Sequence, residues 1–565
     1  MASELDSRVE SAIDGITGAH GPLIAAPTTG SGALIPGEAI VPGAPGTLVA
    51  FFAHFCALHA EKMAVVAGTE RLTFRELDQW SDRLAAAFSG GWGVAKGDRI
   101  AIAMRNCPSW IALYMGAVKA GAIATLVNGW WQPDELAGGI ALCAPTLVIA
   151  DAERGRRIAA AGVSVPTVVL PIEAALPDAL QPLIDDVAEG PRPAVAPEDD
   201  ATILFTSGST GVAKGAVSDH RAVVTATYTF LAYTASLLQL MVADGRPPRH
   251  EPTTLVAVPL FHVTGAVPVM LNSFAIGRTM VLMHKWDAGE ALRLIAAENV
   301  TYFVGVPTMS LELMQHPDRD LHDTSSLLDI GAGGAARPVS HVGRLIESFP
   351  GSAPMLGYGL TETNAVGCTN FRNNYVAKPA STGKPQAPFV DVAILDEDGA
   401  VVPPGERGEI GIRSRANFRG YWNNPDATAA AFSGPYFLTG DIGYLDPDGY
   451  LFIVDRAKDI IIRGGENISC QEVEAAIYAH PAVAEACVFG LPDDRLGEVP
   501  GAVVHLAEHG MLSAQDLSHF LTPRLAKFKL PERTWFSADP LPKLGTGKID
   551  KKALRSAYGG MPATG

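Results

Sequence analysis

The sequence predicts an α/β protein whose chain passes through three regimes. A long stretch alternates apolar strands with amphipathic helices, a compact β segment begins near Asp391, and a small α+β unit follows Asp455. Alternation of this kind argues for large parallel or mixed sheets covered by helices. Ahead of it, residues 20 to 47 are rich in Gly, Ala and Pro, and read as a loosely packed lead-in behind a short amphipathic helix around Ser7–Ile16.

Each element has its own signal. Thr73 followed three residues later by Glu76 is a capping box opening the helix of LTFRELDQWSDRLAAAF. DRIAIAM is a short buried strand, and SWIALYMGAVKAGAIATLVN is a helix that turns at Gly121 into another. Further strands are TLVIA, TVVL, ATILFT, TLVAVP, TMVLM, YFVGVP and LDIGAGG. VDVAILDEDGAVVPPGERGEIGIRS reads as short strands joined by tight turns. After Asp455 come IIIRGG, a helix over Cys470–Tyr478, the strands AEACVFG and PGAVVHL, and a helix from Ser513. The boundary before this last unit is predicted at Arg456–Lys458.

Composition narrows the function. At 565 residues the chain implies at least two domains. Its 48% hydrophobic and 18% charged residues are those of a globular, enzyme-like body. A formal net charge of -17 argues against nucleic acid as a general partner. No uninterrupted apolar run reaches membrane-spanning length, and the start MASELDSRVESAIDG lacks the basic and apolar regions of a secretory signal, so the expected setting is cytoplasmic. Cys56, Cys107, Cys143, Cys368, Cys470 and Cys487 show neither zinc-site nor disulfide spacing and read as reduced, mostly buried thiols.

The segment LFTSGSTGVAKG, residues 204–215, reads as a phosphate-binding loop behind a strand. Gly208, Gly211 and Gly215 allow close backbone approach, Thr206, Ser207, Ser209 and Thr210 add hydroxyl donors, and Lys214 adds charge. Gly215 follows Lys214 where a P-loop NTPase has the magnesium-holding Ser or Thr, so magnesium must be held elsewhere.

Five more segments follow in fixed order. PLFHVTG carries His262; LDIGAGGAARP carries Gly331, Gly333 and Gly334; GYGLTET carries Gly357, Tyr358, Gly359, Thr361 and Glu362. YFLTGDIGYLDPDGYLFIVDRAKDIIIRGGENIS carries Asp441, Arg456, Lys458, Gly464 and Gly465, and LPKLGTGKIDKKAL carries Lys548. Taken singly, His262 reads as a core histidine, Asp441 as a turn residue and Lys548 as a surface lysine.

Taken together, from about Thr73 to Leu554, they resemble the adenylate-forming superfamily of acyl-CoA synthetases, peptide-synthetase adenylation domains and firefly-type luciferases. The resemblance implies a large N-terminal domain of two sheet-and-helix halves plus a β-barrel-like module, with a small α+β lid. The implied division is a lead-in over 1–47, an AMP-binding domain over 48–456 with its β module at 390–455, and a lid over 457–565.

It also implies the chemistry. A carboxylate attacks the α-phosphate of ATP, pyrophosphate leaves, and a thiol takes the acyl group and releases AMP. On that pattern Lys548 bridges the carboxylate and the phosphate, Glu362 holds Mg²⁺, Thr361 donates to the α-phosphate, and Tyr358 lies against adenine beside Gly333, Gly357 and Gly359. Asp441 and Arg456 take the ribose, and Lys458 is the hinge about which the lid swings. Gly464 and Gly465 line a pantetheine tunnel, and His262 gates the thiol. Asp455 and Cys470 depart from the usual Gly and Pro beside the hinge.

The segment PLFHVTG offers no aspartate to pair a substrate amine, so an amino-acid substrate is not expected. The small apolar wall of Val263, Thr264, Gly265, Ala332 and Ala335 predicts a medium- to long-chain fatty acid or another bulky hydrophobic acid, with free coenzyme A as acceptor. Alternatives are an aryl acid, a carrier-protein pantetheine, and a non-catalytic nucleotide sensor. A homodimer is left open as the assembly. Trp130 and Trp131, unusual at their place in the pattern, read first as loop packing and second as an acyl entry path.

Overall fold

Helices and strands alternate where the sequence patterns alternate. The computed structural model describes residues 4–18, 20–23, 25–27, 35–207, 213–335, 337–456, 459–464, 466–507, 510–544 and 547–561. Thr73 caps the helix Phe74–Ser89 with the reciprocal Glu76 bond of a capping box. Gly121, at φ +72°, makes the turn between the helix Pro108–Lys119 and the strand Ile123–Leu126, a left-handed conformation that side chains resist.

Among the described residues, the N-terminal part holds a seven-stranded and a nine-stranded sheet. In the nine-stranded sheet the central strands are parallel: Met63–Ala67, Thr279–Leu282, Thr253–Val256, Tyr302–Gly305, Asp329–Gly333 and Ala353–Gly359. Antiparallel strands close its edges. The helix Pro108–Lys119 is buried along its whole length, as an apolar helix packed among other elements must be. A five-stranded antiparallel module includes Val390–Leu395, Gly408–Ser414, Tyr436–Leu445 and Leu451–Arg456. A second five-stranded sheet, centred on the strands Val483–Asp493 and Gly497–Leu506, forms the C-terminal unit. Its helix spans Cys470–Tyr478, capped by Ser469.

Two helices show more than the sequence patterns alone suggest. The helix Glu4–Thr17 is firmly attached: buried Asp6 accepts from Asn374 Nδ2 at 2.5 Å and Tyr450 Oη at 2.6 Å, and pairs with Lys384 at 3.3 Å. The helix His220–Ala243 is long and apolar enough by length and composition to cross a membrane, although its apolar run is interrupted. Its threonines explain the difference: Thr227 and Thr229 bond carbonyls one turn back and so mask their polarity within the helix. It packs against the N-terminal helix and the π-helical stretch Gly265–Leu271.

The C-terminal unit is docked on the larger one. Lys543 pairs with Glu312 and Glu485, each at 3.0 Å, and Thr308 Oγ1 donates to the Gly547 carbonyl at 3.2 Å. The rings of His341 and Tyr478 meet edge to face at 5.9 Å. On the other side of the joint, the carboxylate of Asp455 accepts from the backbone N–H groups of Cys470 and Gln471, so the last strand of one unit caps the first helix of the other.

Candidate active site

Three strand ends build the floor. Tyr302–Gly305, Asp329–Gly333 and Ala353–Gly359 run in parallel, so their C-terminal ends open a crevice of the kind in which open α/β sheets bind ligands. Gly333 lies opposite Gly357 in the register, and a Cβ on Gly357 would meet nothing within 4 Å. At Gly359 a Cβ would stand 2.2 Å from the Ala365 carbonyl, so there glycine is a demand of the turn.

Lys548 closes this crevice from the C-terminal unit. It rides on a tight turn in which Gly547 N–H donates to Leu544 O and Leu544 N–H to Lys548 O, each at 2.7 Å. A Cβ on Gly334 would be 3.2 Å from Lys548 Cε and 3.4 Å from Nζ. The ammonium is therefore brought to the glycine loop from more than two hundred residues away. Burial lowers its pKa from 10.5 to about 8, the nearby Arg456 adds to the fall, and Asp441 opposes it.

Asp441 and Arg456 face each other across paired strands, and Arg456 Nε is 3.3 Å from Asp441 Oδ1. Tyr358 Oη donates to Asp441 Oδ2 at 2.7 Å. Burial raises the Asp441 pKa, while Arg456 and the Tyr358 hydroxyl pull it down. Tyr358 thus fixes the carboxylate that the sequence pattern assigns to ribose.

Glu362 is buried in a single 3₁₀ turn, Thr361–Thr363, and accepts from Tyr421 Oη at 2.9 Å. Burial raises its pKa against the pull of Tyr421, Arg456 and Lys214. Lys214 Nζ stands 4.7 Å from the centre of the Tyr421 ring, which joins the strand Ala213–Asp219 to the same corner. Among the described residues no cluster of three or more His, Cys, Asp or Glu could hold a metal. One buried carboxylate with an oxygen not taken by Tyr421 fits Mg²⁺, which binds through one or two carboxylates plus substrate phosphates.

His262 lies beyond the strand Thr253–Val256, in the turn that opens the π-helical stretch, and not at the strand's end. Its Nε2 is buried and has no hydrogen-bond partner among the described residues, and burial together with the Lys548 charge lowers its pKa to about 3. Both influences favour the neutral imidazole. Thr206 and Lys214 are strand partners that begin and end the phosphate loop. Gly208, Ser209, Thr210, Gly211, Lys458 and Gly465 lie outside the described residues, as does the side chain of Ser207.

Two assignments do not meet the cluster. Gly464, at φ +59°, occupies a hairpin turn, and a Cβ there would find only Leu496 within 4 Å. Ala332 points away from the crevice and packs with Val342, Leu356 and Tyr375, because alternate strand residues face opposite sides. Trp131 packs in the core against Phe205, as loop packing predicts. Trp130 sits between the guanidinium groups of Arg105 and Arg154, 5.7 and 5.5 Å from its ring centre. It lines a cavity of about 410 Å³ bounded also by Phe261, His284, Trp286, Lys543 and Leu544.

The AMP-binding enzyme family model matches residues 52–422, and that of the AMP-binding enzyme C-terminal domain matches 472–548. The chain belongs to the AMP-binding enzyme family. It is similar to a feruloyl-CoA synthase of Amycolatopsis sp, 35% identical over 88% of this chain and 96% of that one. It is also 33% identical to a long-chain-fatty-acid–CoA ligase of Mycobacterium tuberculosis, over 86% and 93% of the two chains. Among solved structures it resembles the o-succinylbenzoate CoA synthetase of Bacillus subtilis in complex with its acyl-adenylate intermediate, with TM-score 0.77, 28% identity and coverage of 89% and 97%. The enzyme is an ATP-dependent acyl-CoA synthetase of the adenylate-forming superfamily, as the motif order implied.

Proposed function

We propose that the enzyme joins a hydrophobic carboxylic acid to coenzyme A in two half-reactions, with Lys548 serving the first. The observation that carries the reading is the convergence of Lys548, Asp441 and Arg456 at the Gly333–Gly334 loop. Bringing a carboxylate up to a triphosphate sets two anions together, and a buried ammonium between them stabilises the charge that develops there. The carboxylate oxygen bonds to the α-phosphorus, the bond to the β-phosphate oxygen breaks, and pyrophosphate leaves. The thiolate then bonds to the acyl carbon, and AMP departs with the oxygen that came from the acid.

In this reading Asp441, held by Tyr358, accepts the ribose hydroxyls beside Arg456, and Tyr358, Gly357 and Gly359 frame the adenine. Thr206 to Gly211 and Lys214 clamp the outer phosphates, Thr361 donates to the α-phosphate, and Glu362 holds Mg²⁺, which neutralises phosphate charge when bound. The division at 456–458 makes Lys458 the pivot on which residues 457–565 withdraw Lys548, and neutral His262 stands where the thiol must enter. Six free, buried cysteines fit a reducing, cytoplasmic setting.

The test is acid-dependent formation of AMP and of a CoA thioester, followed by the Lys548→Ala variant. That variant should lose adenylation and still convert a synthetic acyl-adenylate to thioester. Survival of both half-reactions would remove Lys548 from its role.

A further inference from the structure

The sheet face below Lys548 is closed by a residue that no motif contains. Tyr302 and Val304 share a face of the sheet with Gly331 and Gly333. At the upper end of that face Lys548 meets Gly334, and the space over Gly357 is open. Two residues lower, about 7 Å along the strand, the space ends: a Cβ on Gly331 would stand 3.4 Å from Tyr302 Oη and 3.2 Å from Val304 Cγ2.

Tyr302 is clamped from behind. Arg278 Cζ lies 4.8 Å from the centre of its ring. The guanidinium is fixed in turn by the carbonyls of Pro268 and Val269, at 3.3 and 3.2 Å, and by Ser273 Oγ at 2.9 Å. Those carbonyls belong to the π-helical stretch that follows His262, so Arg278 ties the sheet to the segment facing it. The ring cannot swing aside without breaking that tie. Its hydroxyl has no hydrogen-bond partner among the described residues, yet it is not among the fully enclosed unpaired polar atoms. The hydroxyl is therefore not fully enclosed, and a donor and acceptor is left there for a ligand.

We propose that Tyr302 is the floor of the acid pocket and sets both its depth and its end chemistry. The acid that fits is a short, flat aryl or arylalkenyl acid carrying a hydrogen-bonding group at its far end. Long alkyl chains are excluded because the trough ends at Tyr302 Oη. This rests on the ligase reading above and narrows its substrate.

The experiment measures AMP release by the full-length enzyme with ATP, Mg²⁺ and CoA on benzoate, 4-hydroxybenzoate, cinnamate, 4-hydroxycinnamate and dodecanoate. The wild type should favour the hydroxylated member of the better aryl pair by roughly tenfold in kcat/KM, the worth of one hydrogen bond. Tyr302→Phe should collapse that ratio toward one, whatever it does to the absolute rates. Tyr302→Ala should raise kcat/KM for dodecanoate at least about tenfold by removing the floor. The phenylalanine variant changes one atom, so its ratio decides the matter even if the alanine variant does not fold. A wild-type preference for dodecanoate, or aryl ratios that Tyr302→Phe leaves unmoved, overturns the proposal and leaves the ligase reading standing. Absence of AMP with all five acids overturns both.

Discussion

The charge on Lys548 should show itself as a descending limb in the pH profile of adenylation. With a pKa of about 8 in the free enzyme, the ammonium is about 90% protonated at pH 7, half at pH 8 and about 10% at pH 9. On the proposed reading protonated Lys548 is the form that draws carboxylate and phosphate together, so kcat/KM should fall roughly tenfold between pH 7 and 9 and by another tenfold for each further pH unit. The bound anions favour the charged form, so the same limb in kcat should lie at higher pH. The assay is ATP–pyrophosphate exchange with a turned-over acid and no CoA, which isolates the first half-reaction from ionisation of the thiol. Lys548→Arg retains the charge at all these pH values and should lose the limb, at a lower rate set by its different reach. Lys548→Ala should cost about 10²–10³-fold in exchange, the usual effect of deleting one stabilising donor. A wild-type kcat/KM that stays flat to pH 10, or a limb that persists in Lys548→Arg, would refute the reasoning.

Other perturbations act elsewhere. Glu362→Gln keeps an acceptor for Tyr421 and so should fold, but with the carboxylate gone the Mg²⁺ concentration giving half-maximal exchange should rise about tenfold or more; an unchanged Mg²⁺ titration would take the metal from Glu362. Asp455→Ala removes the cap that one unit places on the helix Cys470–Tyr478 of the other, at about 1–2 kcal/mol. Exchange should slow while thioester formation from added acyl-adenylate does not, and equal slowing of both would show the cap to be merely structural. Asp6→Ala strands buried Tyr450 and Asn374 without their acceptor, a loss of about 2–4 kcal/mol that should lower the urea midpoint without altering KM for ATP. A midpoint equal to wild type would mean that the N-terminal helix is dispensable.

What could be read from the sequence is what is encoded locally. The helix Cys470–Tyr478 announces itself through its cap and periodicity, and the capping box at Thr73 through two residues. Motifs such as GYGLTET and TGD place their residues because each sits on one strand end or turn. The acid pocket is harder to read, since its wall is a property of strand parity: composition offers Ala332 as lining, although Gly331 and Gly333 face the crevice and Ala332 the helices. Tyr302 was hidden in YFVGVP, an apolar run that reads as wholly buried. Counting two residues at a time and carrying the register across from Gly331 to Val304 would have found it. Lys543 bonding Glu312 and Glu485, and Asp6 bonding Tyr450, join residues far apart in the chain, and neither partner carries a local mark.

The central claim is that an acyl-adenylate forms, and an isotope decides it. With ¹⁸O in both carboxylate oxygens of a substrate acid, attack on the α-phosphorus carries one labelled oxygen into AMP when the thiol displaces it. The account predicts AMP bearing one ¹⁸O per thioester formed, and unlabelled pyrophosphate. Label appearing in inorganic phosphate alongside ADP, or unlabelled AMP beside the thioester, would contradict it.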